Sequence, residues 1–146
     1  MRFIMEAIPS HAQKMHEIEQ QCFSMPWSEA SIRYEILQKH SISFVAIDDN
    51  EIIGHIYMRH IINEGHIINL ATKNSHRKQG IGSLLVNRLV QVAREREMIG
   101  LTLEVRESNI AAISLYKKHG FIVEGIRKDY YSNPTENGLI MWRTNI

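Results

Sequence analysis

The 146-residue chain has a single cysteine, Cys22. That excludes an internal disulfide and makes a reducing, cytoplasmic setting the expectation. No apolar run approaches the roughly 18 residues of a membrane span. The opening stretch MRFIMEAIPSHAQ lacks the apolar core and cleavage site of a secretory signal. Charge of one sign is also missing: 17 Lys and Arg face 16 Asp and Glu. No global field therefore draws in nucleic acid or a membrane, and neither is expected as a direct partner. Low-complexity tracts, linkers and internal repeats are absent. What remains, 44% hydrophobic and 23% charged residues, is an ordinary globular composition. The length suits one domain around one core.

Periodicity supplies the elements. Ser10 and Gln13 match a capping box, and Ala12, Met15, Ile18 and Cys22 recur at helical spacing, so 10–22 is expected to be helical. Ser28 is placed to cap a second helix over 28–39, with Ile32 and Ile36 inward. SFVAI and IIGHIYMRH, separated by DDNE, read as a hairpin over 43–60, and HIINLAT (66–72) as a third strand. A helix follows from 81 to about 97, carrying Ile81, Leu84, Leu85, Leu89 and Val92. LTLEV (101–105) is a strand, 110–119 a short helix ending at Gly120, and FIVEGI another strand. DYYSNPTENG reads as a loop before a last strand, LIMWRT. The pattern predicts a mixed sheet flanked by helices, an α/β or α+β single domain.

Between strand and helix stands RKQGIG (77–82). A Walker loop would need Lys after the second glycine, which is absent. A dinucleotide fingerprint would need a third glycine where Leu85 stands, directly after the first strand. R-x-x-G-x-G remains. Its glycines allow close backbone approach, and the helix start at Ile81–Ser83 offers N–H groups to a pyrophosphate. The alternative is a plain surface turn with solvated basic residues. The eight histidines show no metal-ligand spacing, and no metal is expected.

LEVRESNIAAISLYKKHGF (103–121) carries more information. With PWSE (26–29), RKDYYSNPTENGLIM (127–141) and the R-x-x-G-x-G helix, it resembles the GCN5-related N-acetyltransferases. The likeness is to the RimI-type branch, which acetylates the N-terminal alanine of a small-subunit ribosomal protein. It covers nearly the whole chain. The resemblance implies a sheet of about six to seven strands, mostly antiparallel, with about four helices. A V-shaped opening would lie between the parallel strands 66–72 and 101–105. It implies acetyl-CoA as donor, with Leu70, Ala71 and Thr72 along the pantetheine and Arg77, Lys78, Gln79, Gly80, Ile81, Gly82 and Ser83 around the pyrophosphate. Two family features differ: ATKNS replaces a V-x-P turn, and Glu136, Asn137 and Gly138 stand where many relatives have E-D-A.

In LTLEV, Leu101, Leu103 and Val105 share one face and Thr102 and Glu104 the other. A carboxylate within an apolar strand is costly unless used or paired, and burial would raise its pKa toward a useful range. The resemblance makes Glu104 the general base; the alternative is an edge carboxylate paired with Arg106 or another base. It makes Tyr116 the proton donor to the thiolate and Asn109 a pantetheine ligand. The alternatives are a packing aromatic and a helix N-cap. Trp27, Tyr130 and Tyr131 are candidates to wall the acceptor slot, against ordinary loop packing. Three functions are weighed: acetylation of a protein N-terminus, acetylation of a small amine or polyamine, and a non-catalytic CoA-binding module. Retention of Glu104 and Tyr116 argues against the third. The sequence leaves the oligomeric state open.

Overall fold

The β-branched and aromatic runs pair into one seven-stranded sheet, and the amphipathic segments cover it. The computed structural model describes residues 1–146. In chain order the elements are β1 (Arg2–Glu6), α1 (Ala12–Cys22), α2 (Glu29–Leu37), β2 (Ser41–Asp48), β3 (Glu51–Ile61), β4 (Glu64–Thr72), α3 (Ile81–Glu95), β5 (Gly100–Arg106), α4 (Ile110–Lys118), β6 (Ile122–Tyr131) and β7 (Glu136–Arg143). The sheet order is β1-β2-β3-β4-β5-β7-β6. Only β4 and β5 run parallel; the other neighbours are antiparallel.

Core residues divide by sheet face. Beneath α3 and α4, Phe44, Ile53, Ile56, Leu101, Leu103 and Met141 pack against Ile81, Leu85 and Leu89. Beneath α1 and α2, Ala12, Met15 and Ile32 pack on Val45 and Tyr57. Each fully buried side chain of this size contributes about 1.5–3 kcal/mol of transfer free energy. The buried stripe of α3 also takes in Val86, Val90 and Ala93, whereas Leu84 is 44% exposed.

Four local expectations change. The Ser10–Gln13 box does not form: Pro9–His11 make a 3-10 turn, α1 starts at Ala12, and His11 Nδ1 accepts the Ile8 N–H at 3.1 Å. Proline at the first position of that turn suits it to a helical start, which delays α1 by two residues. β1 is an added edge strand. It is five residues long without clear alternation and is recruited by pairing with β2. β6 runs to Tyr131 and β7 starts at Glu136, so Tyr130 and Tyr131 lie on a bulged strand end rather than in a loop. α2 is shorter than expected and ends at Leu37.

Tight turns join β2 to β3 and β3 to β4. Asp49 and Asn50, at φ 50° and 65°, form the first, a geometry these residues tolerate. In the second, Ile62 takes φ 56° and is 92% exposed. A β-branched residue there is strained and buries nothing in return. Ile62→Gly is therefore expected to stabilise the protein by about 1 kcal/mol, a rise in Tm of about 2–4 °C in thermal unfolding.

Candidate active site

β4 and β5 pair through only three positions, Glu64↔Gly100, Gly65↔Leu101 and His66↔Thr102. Beyond them Ile67–Thr72 keeps β3 as its partner and Leu103–Arg106 keeps β7. The strands part, leaving Leu70, Ala71 and Thr72 without a ladder partner across the gap. A register shift in β4 skips Ile68, which lies between the positions paired with Tyr57 and Met58. Such a bulge bends and twists its strand locally. The Cys22 thiol, at the end of α1, donates to the Thr72 carbonyl at 3.4 Å.

The RKQGIG loop lies between this rim and α3. Lys78 at φ 62° and Gly80 at φ 82° turn the chain so that α3 begins directly at Ile81. No side chain caps that start, so the first N–H groups of a 15-residue helix stay free for a ligand. The two glycines do different work. Gly80 supplies a left-handed conformation in open space. A Cβ on Gly82 would lie 2.9 Å from Leu115 Cδ2, so Gly82 lets α4 approach α3. Ser83 Oγ meets His119 Nε2 at 3.0 Å across the same junction. Arg77 and Lys78 are exposed, and Arg77 reaches Cys22 Sγ at 3.3 Å. Gln79 is engaged by Arg2 and the Ser75 carbonyl.

Glu104 sits in the parted half of β5, opposite Ile140 of β7. Its side chain is 35% exposed and lies 3.5 Å from Arg127 Nε, so its nearest cation is Arg127 and not Arg106. Tyr116 is buried on α4, edge-on to Phe121 at 5.3 Å. Burial, then the neighbouring Tyr131, pushes the Tyr116 hydroxyl well above the usual phenol range, so it keeps its proton at neutral pH. Tyr131 rises to about 12 through burial, Tyr130 and Glu104. Tyr131 thus stands electrostatically between the two residues. Tyr130 packs edge-on to it at 5.0 Å, and a Cβ at Gly138 would come within 3.1 Å of Tyr130. Asn109 does cap α4: its Oδ1 accepts the Ala112 N–H at 3.1 Å, which leaves Nδ2 as a donor.

Glu136 closes the end of this region. Arg106 and Ser108 both donate to it at 2.9 Å, and the Ser108 N–H at 3.1 Å. These contacts, Arg106 foremost, hold its carboxyl below the usual range. Arg106 also donates to the carbonyls of Ser132 and Pro134 and lies over the Tyr131 ring. Asn137 bonds the Asp129 N–H and Glu107. The Glu136–Asn137–Gly138 departure therefore builds the β6–β7 connection.

Trp27 lies between α1 and α2, its ring 5.3 Å from that of Tyr57 on β3, and Met25 of that segment meets Ser132 of the β6–β7 connection at 3.8 Å. Sequence reasoning passed over what anchors it. Glu19 is fully buried and accepts from the Trp27 N–H (3.0 Å), Asn69 Nδ2 (3.3 Å), His55 Nε2 (3.0 Å) and the Tyr57 hydroxyl. Its signal was present: Glu19 follows Met15 by four residues, on the apolar face of α1. Burial pushes its carboxyl up, but the donors, His55 foremost, outweigh that and hold it below the usual range. The stabilisation from such a depressed carboxyl is present above the ordinary carboxylate range and lost as pH falls through the folded-state value. Glu19→Gln is thus expected to lose less stability than wild type between neutral and acid pH, as measured by urea unfolding at each pH.

The acetyltransferase (GNAT) family model matches residues 12–121. The chain belongs to that family and is an acetyl-CoA-dependent N-acetyltransferase. It is similar to the ribosomal protein bS18-alanine N-acetyltransferase of Haemophilus influenzae, at 34% identity over 132 residues, 88% of this chain and 89% of that protein. A Bacillus subtilis relative, provisionally named for the same activity, is 36% identical over 131 residues, covering 89% and 87%. The crystal structure of the Escherichia coli ribosomal-protein-S18-alanine N-acetyltransferase superposes with a TM-score of 0.91 at 28% identity, covering 98% of this chain and 93% of that one.

Proposed function

We propose that this protein transfers an acetyl group from acetyl-CoA to the N-terminal α-amine of a protein, an N-terminal alanine of a small-subunit ribosomal protein. The observation that carries the reading is the opening between β4 and β5 with Glu104 on its rim and Tyr116 nearby, in a chain whose relatives bear that activity in their names. Leu70, Ala71 and Thr72 offer backbone groups to the pantetheine. Arg77 to Ser83 receive the pyrophosphate on free helix N–H groups, and Asn109 Nδ2 donates from the other side. The donor thus lies in the gap with its thioester beside Glu104.

In the transfer, the amine nitrogen attacks the thioester carbonyl carbon and the carbon–sulfur bond breaks. Glu104 takes the proton the amine loses, directly or through a water. Tyr116, kept protonated by burial, gives its hydroxyl proton to the departing thiolate. Trp27 on the α1–α2 connection and Tyr130 and Tyr131 at the end of β6 wall a slot, which suits a flexible chain end better than a folded surface.

The test is incubation with acetyl-CoA and a peptide beginning Ala-Arg. A mass gain of one acetyl group at the α-amine is expected. Turnover of polyamines with no gain on any peptide would refute the reading and favour a small-amine acceptor. Glu104→Gln and Tyr116→Phe are each expected to lower kcat by about 10²-fold. Acetyl-CoA should still bind both variants in calorimetry. Full rates in both would remove these role assignments.

A further inference from the structure

α1 holds both polar backbone atoms of Trp27. Glu19 accepts its N–H at 3.0 Å, and His16 Nδ1, one turn earlier, donates to its carbonyl at 2.7 Å. The indole ring is fixed as well, 5.3 Å from the Tyr57 ring on one side and with the Arg59 guanidinium 5.8 Å away. Arg59 is itself held by the buried carboxylate of Glu35 at 2.8 Å. The Glu19 carboxylate then extends this restraint into the sheet. His55 and Tyr57 bind it from β3. Asn69 binds it from β4, immediately before Leu70, and also donates to the Tyr57 hydroxyl at 3.1 Å.

A fully buried carboxylate is an expensive way to fill a core, because apolar residues of similar volume usually do as well or better. Its partners explain its presence better than its volume does. Besides His55 and Tyr57 of β3, they are the backbone of the α1–α2 connection at Trp27 and Asn69 in the parted stretch of β4. We propose that Glu19 is a positioning residue for the acceptor: it holds Trp27 in register with the β4 rim, so that the acceptor's terminal amine arrives at the thioester in reacting geometry. This rests on the reading above that Trp27 walls the acceptor slot. Glu19 touches neither reactant. With all its donors satisfied, it acts through Trp27 and Asn69.

The purified full-length chain serves for the test, with Glu19→Ala, Glu19→Gln and Asn69→Ala compared with wild type. Steady-state kinetics separate KM for an Ala-Arg peptide from KM for acetyl-CoA, and hydrogen exchange reports on the Trp27 amide. In Glu19→Ala the peptide KM is expected to rise by about tenfold or more, with the acetyl-CoA KM within about twofold of wild type. The Trp27 amide should exchange faster. Glu19→Gln, whose amide oxygen still accepts that N–H, should recover part of the peptide KM. Asn69→Ala should fall between wild type and Glu19→Ala, and it carries the test if Glu19→Ala does not fold. An unchanged peptide KM in a folded variant, a parallel rise in both KM values, or unaltered Trp27 exchange overturns the proposal. A wild-type protein that turns over polyamines and no peptide overturns the acceptor reading itself, and the positioning role for a protein N-terminus falls with it.

Discussion

The parting of β4 from β5 after three paired positions is the constraint around which the rest is organised. Two parallel strands at the centre of a sheet gain by pairing along their whole length, because unpaired backbone groups in a protein interior are costly. Here each strand is held on its far side. β4 stays on β3 through a register that skips Ile68, and its end is touched by Cys22. β5 stays on β7, and its end is clamped by Arg106 and Ser108 to Glu136. Supports of this kind make an opening a preorganised cleft. The uncapped start of α3 follows on the loop that leaves this parted edge of β4.

Two carboxylates near this cleft stand in contrasting surroundings. Glu19 has every oxygen engaged by donors from three elements and is shielded from solvent. A carboxylate so satisfied has little tendency to accept another proton. Glu104 faces one cation at 3.5 Å and remains partly exposed, which suits the base role proposed for it. Tyr116 suits the opposite, proposed task, since the burial that packs it against Phe121 also holds its proton in place.

Much of the frame was legible because local rules were strong. The stripe of α3, the Asp49–Asn50 turn, the Ser28 and Asn109 caps and the Gly120 stop each follow from residues close in sequence. β1 was not legible, since a short edge strand has meaning only beside β2. The end of β6 was misjudged because Asp129, Asn133 and Pro134 read as turn residues, while the strand continues through a bulge to Tyr131. For the site, Glu104 and Tyr116 could be singled out from the motif around them. The partner of Glu104 could not, because Arg106 is nearer in sequence and Arg127 nearer in space.

The sequence by itself determined most of the helices and strands, which faces are apolar and where a glycine turn opens α3, because periodicity and turn chemistry act over a few residues. Tertiary structure alone decided that β4 and β5 separate where they do. It also showed that Gly82 makes room for Leu115, and that Glu19 gathers His55, Tyr57, Asn69 and the Trp27 backbone. Those outcomes depend on contacts between residues up to 50 positions apart. The shape of a cleft is set by such distant partners, and no local pattern encodes them.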